Sequence, residues 1–101
     1  MRREVVYLPE VSRDFADAFG YYETIAAMLG DKFEAAFFAA EREIEEGMIT
    51  HHLDFTHYHR VNLRRFPYAI YYRIAGQRIV VVALLFFRQD PVAMQRLLKS
   101  R

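Results

Sequence analysis

The stretch RVNLRRFPYAIYYRIAGQRIVVVALLFFRQDP, residues 60–91, decides how the chain is read. Val61 and Leu63 alternate with Arg60, Asn62 and Arg64, the period-two pattern of a strand with one face in water. Tyr68, Ile70, Tyr72 and Ile74 then share one face of a second strand, with Ala69, Tyr71 and Arg73 on the other. Ala75-Gly76-Gln77 supplies the turn of a hairpin. The last strand, over 78–87, is apolar on both faces and must be covered twice, by helices on one side and by something else on the other. Asp90-Pro91 opens a terminal segment in which Met94, Leu97 and Leu98 form one apolar side of a short helix or tail.

Upstream of this stretch the period is helical. A short strand over 4–8 is ended by Pro9, and Ser12 is expected to cap a helix carrying Phe15, Phe19, Tyr22, Ala26 and Leu29 on one face. Gly30 is expected to stop that helix, and Asp31 with Glu34, three residues apart, to cap the next one. The second apolar stripe is Phe33, Phe37, Ala40 and Ile44, ending at Gly47, and so short a connection forces an antiparallel helical hairpin. The expected class is α+β in the order β-α-α-β-β-β, with the helical hairpin packed on a small, largely antiparallel sheet. The 101 residues form one domain over 1–101, long enough to bury roughly 65% of the unfolded chain's surface.

Composition narrows the function classes. The near-neutral net charge of +1 hides a division: residues 1–50 hold five Lys/Arg against eleven Asp/Glu, a net of −6, and residues 51–101 hold nine against two, a net of +7. Such asymmetry marks an acidic or polyanionic partner and directs attention to the basic half. With no cysteine there is no disulfide framework, thiolate zinc site or Cys nucleophile, which fits a reducing compartment. No apolar run approaches the ~18 residues of a membrane span, and MRREVVYLPE lacks the apolar core of a signal peptide, so the expected location is the cytoplasm, with no membrane partner.

The order of elements, the run RRFPYAIYYRI over 64–74, the apolar strand IVVVALLFF and the RQDP after it together resemble the RelE/ParE superfamily of bacterial type II toxin–antitoxin toxins. The resemblance covers nearly the whole chain. Its most specific part is the Arg-bearing strand, then Phe66-Pro67-Tyr68 entering a hairpin, then the apolar strand ended by Arg88-Gln89-Asp90-Pro91. Two activities occur in that family. Its ribonucleases cut messenger RNA in the ribosome, with cations that stabilise charge on the phosphate and groups that move protons. The resemblance places an arginine after the hairpin tyrosine in those enzymes, where this chain has Ala69, and basic residues with a Tyr or His in the tail, where it has Gln89 and Gln95. For a ribonuclease the remaining candidates are Arg73, Arg88 and Tyr71, since Tyr72 falls on the core face.

ParE-like members, which poison DNA gyrase without catalysis of their own and serve plasmid stabilization, fit better through the Phe-Pro-Tyr hairpin and the Arg-x-Asp-Pro ending. Phe86 stands where many relatives carry a His, so any role of that His is lost here. The resemblance further implies a cognate antitoxin, ParD-like or RelB-like, that folds across the toxin, and no cofactor. A chain that has lost toxicity and only binds antitoxin is the third reading.

The candidate residues for binding target or antitoxin are Arg60, Arg64, Arg65, Arg73, Phe86 and Arg88. The guanidinium groups of the five arginines suit carboxylates and phosphates alike. A blander use of Arg60, Arg64, Arg73 and Arg88 is pairing with Glu41, Glu43, Glu45 and Glu46, which oppose the dipole at the end of the second helix. The last strand and short tail are further expected to leave an apolar groove for a partner segment. His51, His52, His57 and His59 are read as loop histidines and not as a metal site, because the spacing offers no fixed set of three or four ligands. The phenylalanines at 15, 19, 33 and 37 are read as core, not as base-stacking groups.

Overall fold

The computed structural model describes residues 3–47 and 57–101. Its elements are β1 (Glu4–Tyr7), α1 (Glu10–Ile25), α2 (Leu29–Glu46), β2 (His59–Asn62), β3 (Tyr68–Ala75), β4 (Arg78–Phe86) and α3 (Pro91–Lys99). The four strands form one sheet in the order β1-β4-β3-β2, with β1 parallel to β4 and the other two pairings antiparallel. The α+β class and the element order are those expected from the pattern.

The strand without a polar face is central. Ile79 through Leu85 of β4 are all buried, between β1 and β3. Ile79, Val81 and Leu84 face the helical hairpin, against Phe33, Phe37, Ala40 and Ile44 of α2 and Val11, Ala18 and Tyr22 of α1. Val80, Val82, Ala83 and Leu85 face the other way, where Met94 and Leu98 of α3 close over them with Ala69 and Tyr71. The terminal segment is thus the second cover, and the expected open apolar groove on this face is filled by the chain's own helix. Asp90 accepts from the Val92 amide at 3.4 Å, and Pro91 follows as the first helical residue.

Three local expectations fail for identifiable reasons. Ser12 caps nothing: the helix begins directly at Glu10, with Pro9 at φ −55 in the cap position, because proline's fixed φ already suits a helical start. Gly30 does not stop α1. The chain leaves α1 after Ile25, turns through Met28 at φ 67, and starts α2 at Leu29, so Gly30 lies in the first turn of α2 and Ala26 lies beyond α1, exposed. The glycine is needed for close approach, since a Cβ there would stand 2.7 Å from Glu23 Cγ. The Glu23 carboxylate accepts from the Gly30 amide at 3.0 Å, doing from α1 the work expected of Asp31. Gly47, at φ 65, does end α2, and Gly76, at φ 61, makes the β3–β4 turn.

Candidate functional site

The sheet brings the connection between β2 and β3 beside the end of β4. Tyr68 pairs with Phe86, the Leu63 amide donates to the Tyr68 carbonyl at 2.9 Å, and the Phe87 amide donates to the Pro67 carbonyl at 3.0 Å. These bonds fix a tight crossing in which Arg65 takes φ 69, a conformation that costs a residue with a side chain roughly 1–3 kcal/mol. Arg64 and Arg65 are both exposed. With Lys32 of α2 they stand around a cavity of about 760 Å³ whose walls include Tyr22, Leu29, Ala35, Ala36, Phe66 and Pro67. Among the described residues, none of these three cations is in an ion pair. An apolar, aromatic floor under three cations suits a segment that carries carboxylates beside apolar anchors.

Next to it lies a smaller hollow of about 430 Å³, lined by Tyr21, Tyr22, Pro67, Tyr68 and Phe86. Phe86 packs edge-on to Tyr68 at 5.8 Å, and Tyr21 is 57% exposed. Burial raises the pKa of Tyr22 first, with Tyr68 and Tyr21 adding to it, and raises that of Tyr68 with Tyr21 and Asp17 adding to it. Both phenols therefore stay neutral across the physiological range and offer apolar rings with a hydroxyl, not anions.

On the opposite face of the sheet, Arg60 pairs across the ladder with Tyr71. Its side chain lies over the Phe87 ring at 4.4 Å and 5.9 Å from the Tyr71 ring, while Nε donates to Asn62 Oδ1 at 2.8 Å. Cation–π contact and this hydrogen bond hold the guanidinium in one place. Arg88 is exposed in the turn after β4, where Gln89 Nε2 donates to the Phe86 carbonyl at 2.8 Å.

The structure therefore gathers Arg64, Arg65, Phe86 and Arg88 around one end of the sheet, while Arg60 stands on the other face at the level of Tyr71, two residues along β3 from Arg73, and reaches towards that end through Phe87. Arg73 stays apart from the first four. It pairs with Val80, five residues along β3 from the Tyr68–Phe86 pair, a strand distance of roughly 17 Å. Tyr71 has no exposed surface and belongs to the core under α3, and Tyr72 is buried beneath the helical hairpin. Among the described residues, no ion pair links Arg64, Arg73 or Arg88 to the glutamates of α2. Glu41 has a raised pKa, from burial first and from Glu45 second.

His59 is not a loop residue as expected but the first residue of β2, where it stacks on Tyr72 at 5.2 Å, whereas His57 precedes β2 at φ 68 and is exposed. His51 and His52 lie outside the described residues. Among the described residues no three of His, Asp and Glu converge as a metal site would require. No helix is long and apolar enough to cross a membrane among the described residues. Lys32 and Tyr21 were not singled out by pattern. Both occupy positions off the apolar stripes of their helices, and nothing local marks such residues until the β2–β3 connection is placed beside them.

No family model matches this sequence, and neither does any curated protein. Among solved structures, a chain of the chromosomal ParDE TA system from P. aeruginosa superimposes with a TM-score of 0.71, over 82% of this chain and 94% of that one, at 10% sequence identity. At that identity the likeness speaks for fold. Over that span the helical hairpin and the β1-β4-β3-β2 sheet follow the fold of that chain of a ParDE system.

Proposed function

We propose that the chain is the toxin of a bacterial type II toxin–antitoxin pair, acting as ParE-like toxins do, by binding and inhibiting DNA gyrase in the cytoplasm, and neutralised by a cognate ParD-like antitoxin. The observation that carries this reading is the dispersal of the groups a ribonuclease would need. Arg73 sits roughly 17 Å along the strand from the level of Phe86, and Tyr71 is sealed in the core. A phosphoryl-transfer site needs its cations and proton carriers within hydrogen-bond reach of one phosphate. What does come together is suited to binding: Lys32, Arg64 and Arg65 over an apolar floor, with Phe86 and Tyr21 beside it. An acidic antitoxin segment with apolar anchors matches that surface in sign and shape, and the fold match to a chain of a ParDE system supports a partner of this kind.

The test incubates the purified chain with gyrase, ATP and plasmid and reads trapped double-strand breaks on a gel after protease treatment. Linearised plasmid is the expected result, and it should disappear when the protein encoded beside the toxin is added. Undisturbed supercoiling, together with cut messages when the chain meets translating ribosomes, would replace this reading with the endoribonuclease one. Neither effect, with tight antitoxin binding, would leave a module that only binds antitoxin.

A further inference from the structure

Past Val81, β4 has no strand neighbour on its β1 side. β1 ends at Tyr7, opposite Val81, and the chain departs with the Leu8 amide still donating to the Val81 carbonyl at 3.0 Å. Two side chains then take over the work of a strand. Arg101 Nη1 donates to the Val82 carbonyl at 3.0 Å, and Asp14 Oδ2 accepts from the Leu84 amide at 3.0 Å. The two residues grip each other through both carboxylate oxygens, Nη1 to Oδ2 at 2.5 Å and Nη2 to Oδ1 at 2.8 Å, with each side chain only 10% exposed. The spot is irregular on the other edge as well. Tyr71 pairs with Ala83 and Tyr72 with Val81, so Val82 is skipped in the β3 ladder and β4 bulges there.

The partners come from three elements. Asp14 belongs to α1, Val82 and Leu84 to β4, and Arg101 lies just beyond Ser100, the residue that caps the end of α3. α3 has nine residues, fewer than the ~12–15 at which an isolated helix begins to hold in water, so its place depends on what it docks against. Its apolar anchors are Met94 and Leu98, both 1% exposed. At its end the Asp14 hydrogen bond, the largest contribution, raises the Arg101 pKa further.

We propose that Asp14 and Arg101 form a clasp that closes the open edge of β4 and holds α3 on the sheet, so that losing their paired grip frees α3 while the helical hairpin and its face of the sheet stay folded. The asymmetry follows from what half a pair does. A buried charge left without its partner is costlier than none, and the survivor seeks water. Asp14 is fixed in the middle of a sixteen-residue helix, whereas Arg101 sits at the end of a short one, so the movable side is α3. This role is independent of gyrase and of any antitoxin.

Amide hydrogen exchange on the full chain tests it, comparing wild type with Asp14→Asn and Arg101→Gln. The expected result is at least tenfold faster exchange at Leu84 and throughout α3, with the amides of α2 and β3 at their wild-type rates. Wild-type exchange in α3 would overturn the clasp, and so would acceleration of α2 and α3 by the same factor, which would mark the pair as a general stabiliser. Should either variant fail to fold, Arg101→Lys gives the answer, since it keeps the charge but has no planar fork to grip two carboxylate oxygens and a carbonyl together. Faster exchange confined to α3 in that variant supports the clasp, and unchanged or uniformly faster exchange refutes it.

Discussion

The two faces of the sheet are covered by different means. On one, α1 and α2 bring sixteen and eighteen residues and a continuous set of rings: Phe15 lies 5.8 Å from Phe33 and 5.2 Å from Phe37, Phe33 lies 5.3 Å from Tyr22 and Phe66, and Tyr22 lies 4.8 Å from Phe66. On the other, nine residues of α3 place Met94 and Leu98 over alanine, valine and leucine side chains and the buried ring of Tyr71, and are tied down by one buried ion pair. The first face is over-determined, because each ring is held by several others. The second rests on few contacts, and such elements are where local opening costs least.

Truncating one residue under each cover measures that difference. Phe33→Ala should lower the unfolding free energy by about 3–5 kcal/mol in denaturant titration, since the cavity opens among rings that cannot all collapse into it. Met94→Ala should cost about 2–3 kcal/mol, because a short helix at the surface can settle into the space. Equal losses would break the contrast between the faces.

The junction of the hairpin gives a smaller effect. Gly30→Ala gains about 1 kcal/mol of helix propensity, but the new methyl meets Glu23 Cγ at 2.7 Å and displaces the carboxylate that caps the α2 amide. The net expectation is a loss of about 1 kcal/mol at the thermal midpoint, and Glu23→Ala with Gly30→Ala should lose less than the sum of the two single changes. On the other face, Asp90→Ala removes a long 3.4 Å cap and should cost about 0.5–1 kcal/mol, read as faster exchange in the first turn of α3 alone. If α2 responded as well, α3 would not be the separately held cover described above.

The smallest effect separates the faces by pH. The Glu41 carboxyl titrates above its ordinary 4.5, so folding is opposed by its charge at neutral pH and that opposition fades as pH falls through the raised value. Glu41→Gln should therefore raise the thermal midpoint slightly at pH 7 and leave it unchanged near pH 3. A midpoint raised equally at both would mean that packing, not charge, is responsible.

Much of this was legible in the chain. Alternation over 60–64 and 68–74, the all-apolar run that became β4, the stripe Phe33, Phe37, Ala40 and Ile44, and the stops at Gly47 and Gly76 each rest on a period or a backbone preference that a few neighbours express. The misreadings at Ser12 and Gly30 share a cause. Serine can cap and glycine can stop, but whether they do depends on where the chain goes next, and here Pro9 began the helix sooner and Glu23 drew Gly30 into close contact. Of the site, the arginines were visible as residues but their company was not: Arg73 shares a strand with Tyr68 yet stands far from Arg64, while Lys32 joins Arg64 and Arg65 from another element.

Periodicity and turn chemistry, read from the residues alone, were enough for the class and the order of elements, because those depend on interactions within a few residues of chain, and a count of charges was enough for the basic half. The filled face under α3, the cavity beneath three cations and the grip of Asp14 on Arg101 join residues distant in sequence, the last pair 87 positions apart. Contacts of that kind leave no local period to read. They exist only once β4 has been enclosed from both sides and its unpaired edge has had to find hydrogen-bond partners away from water.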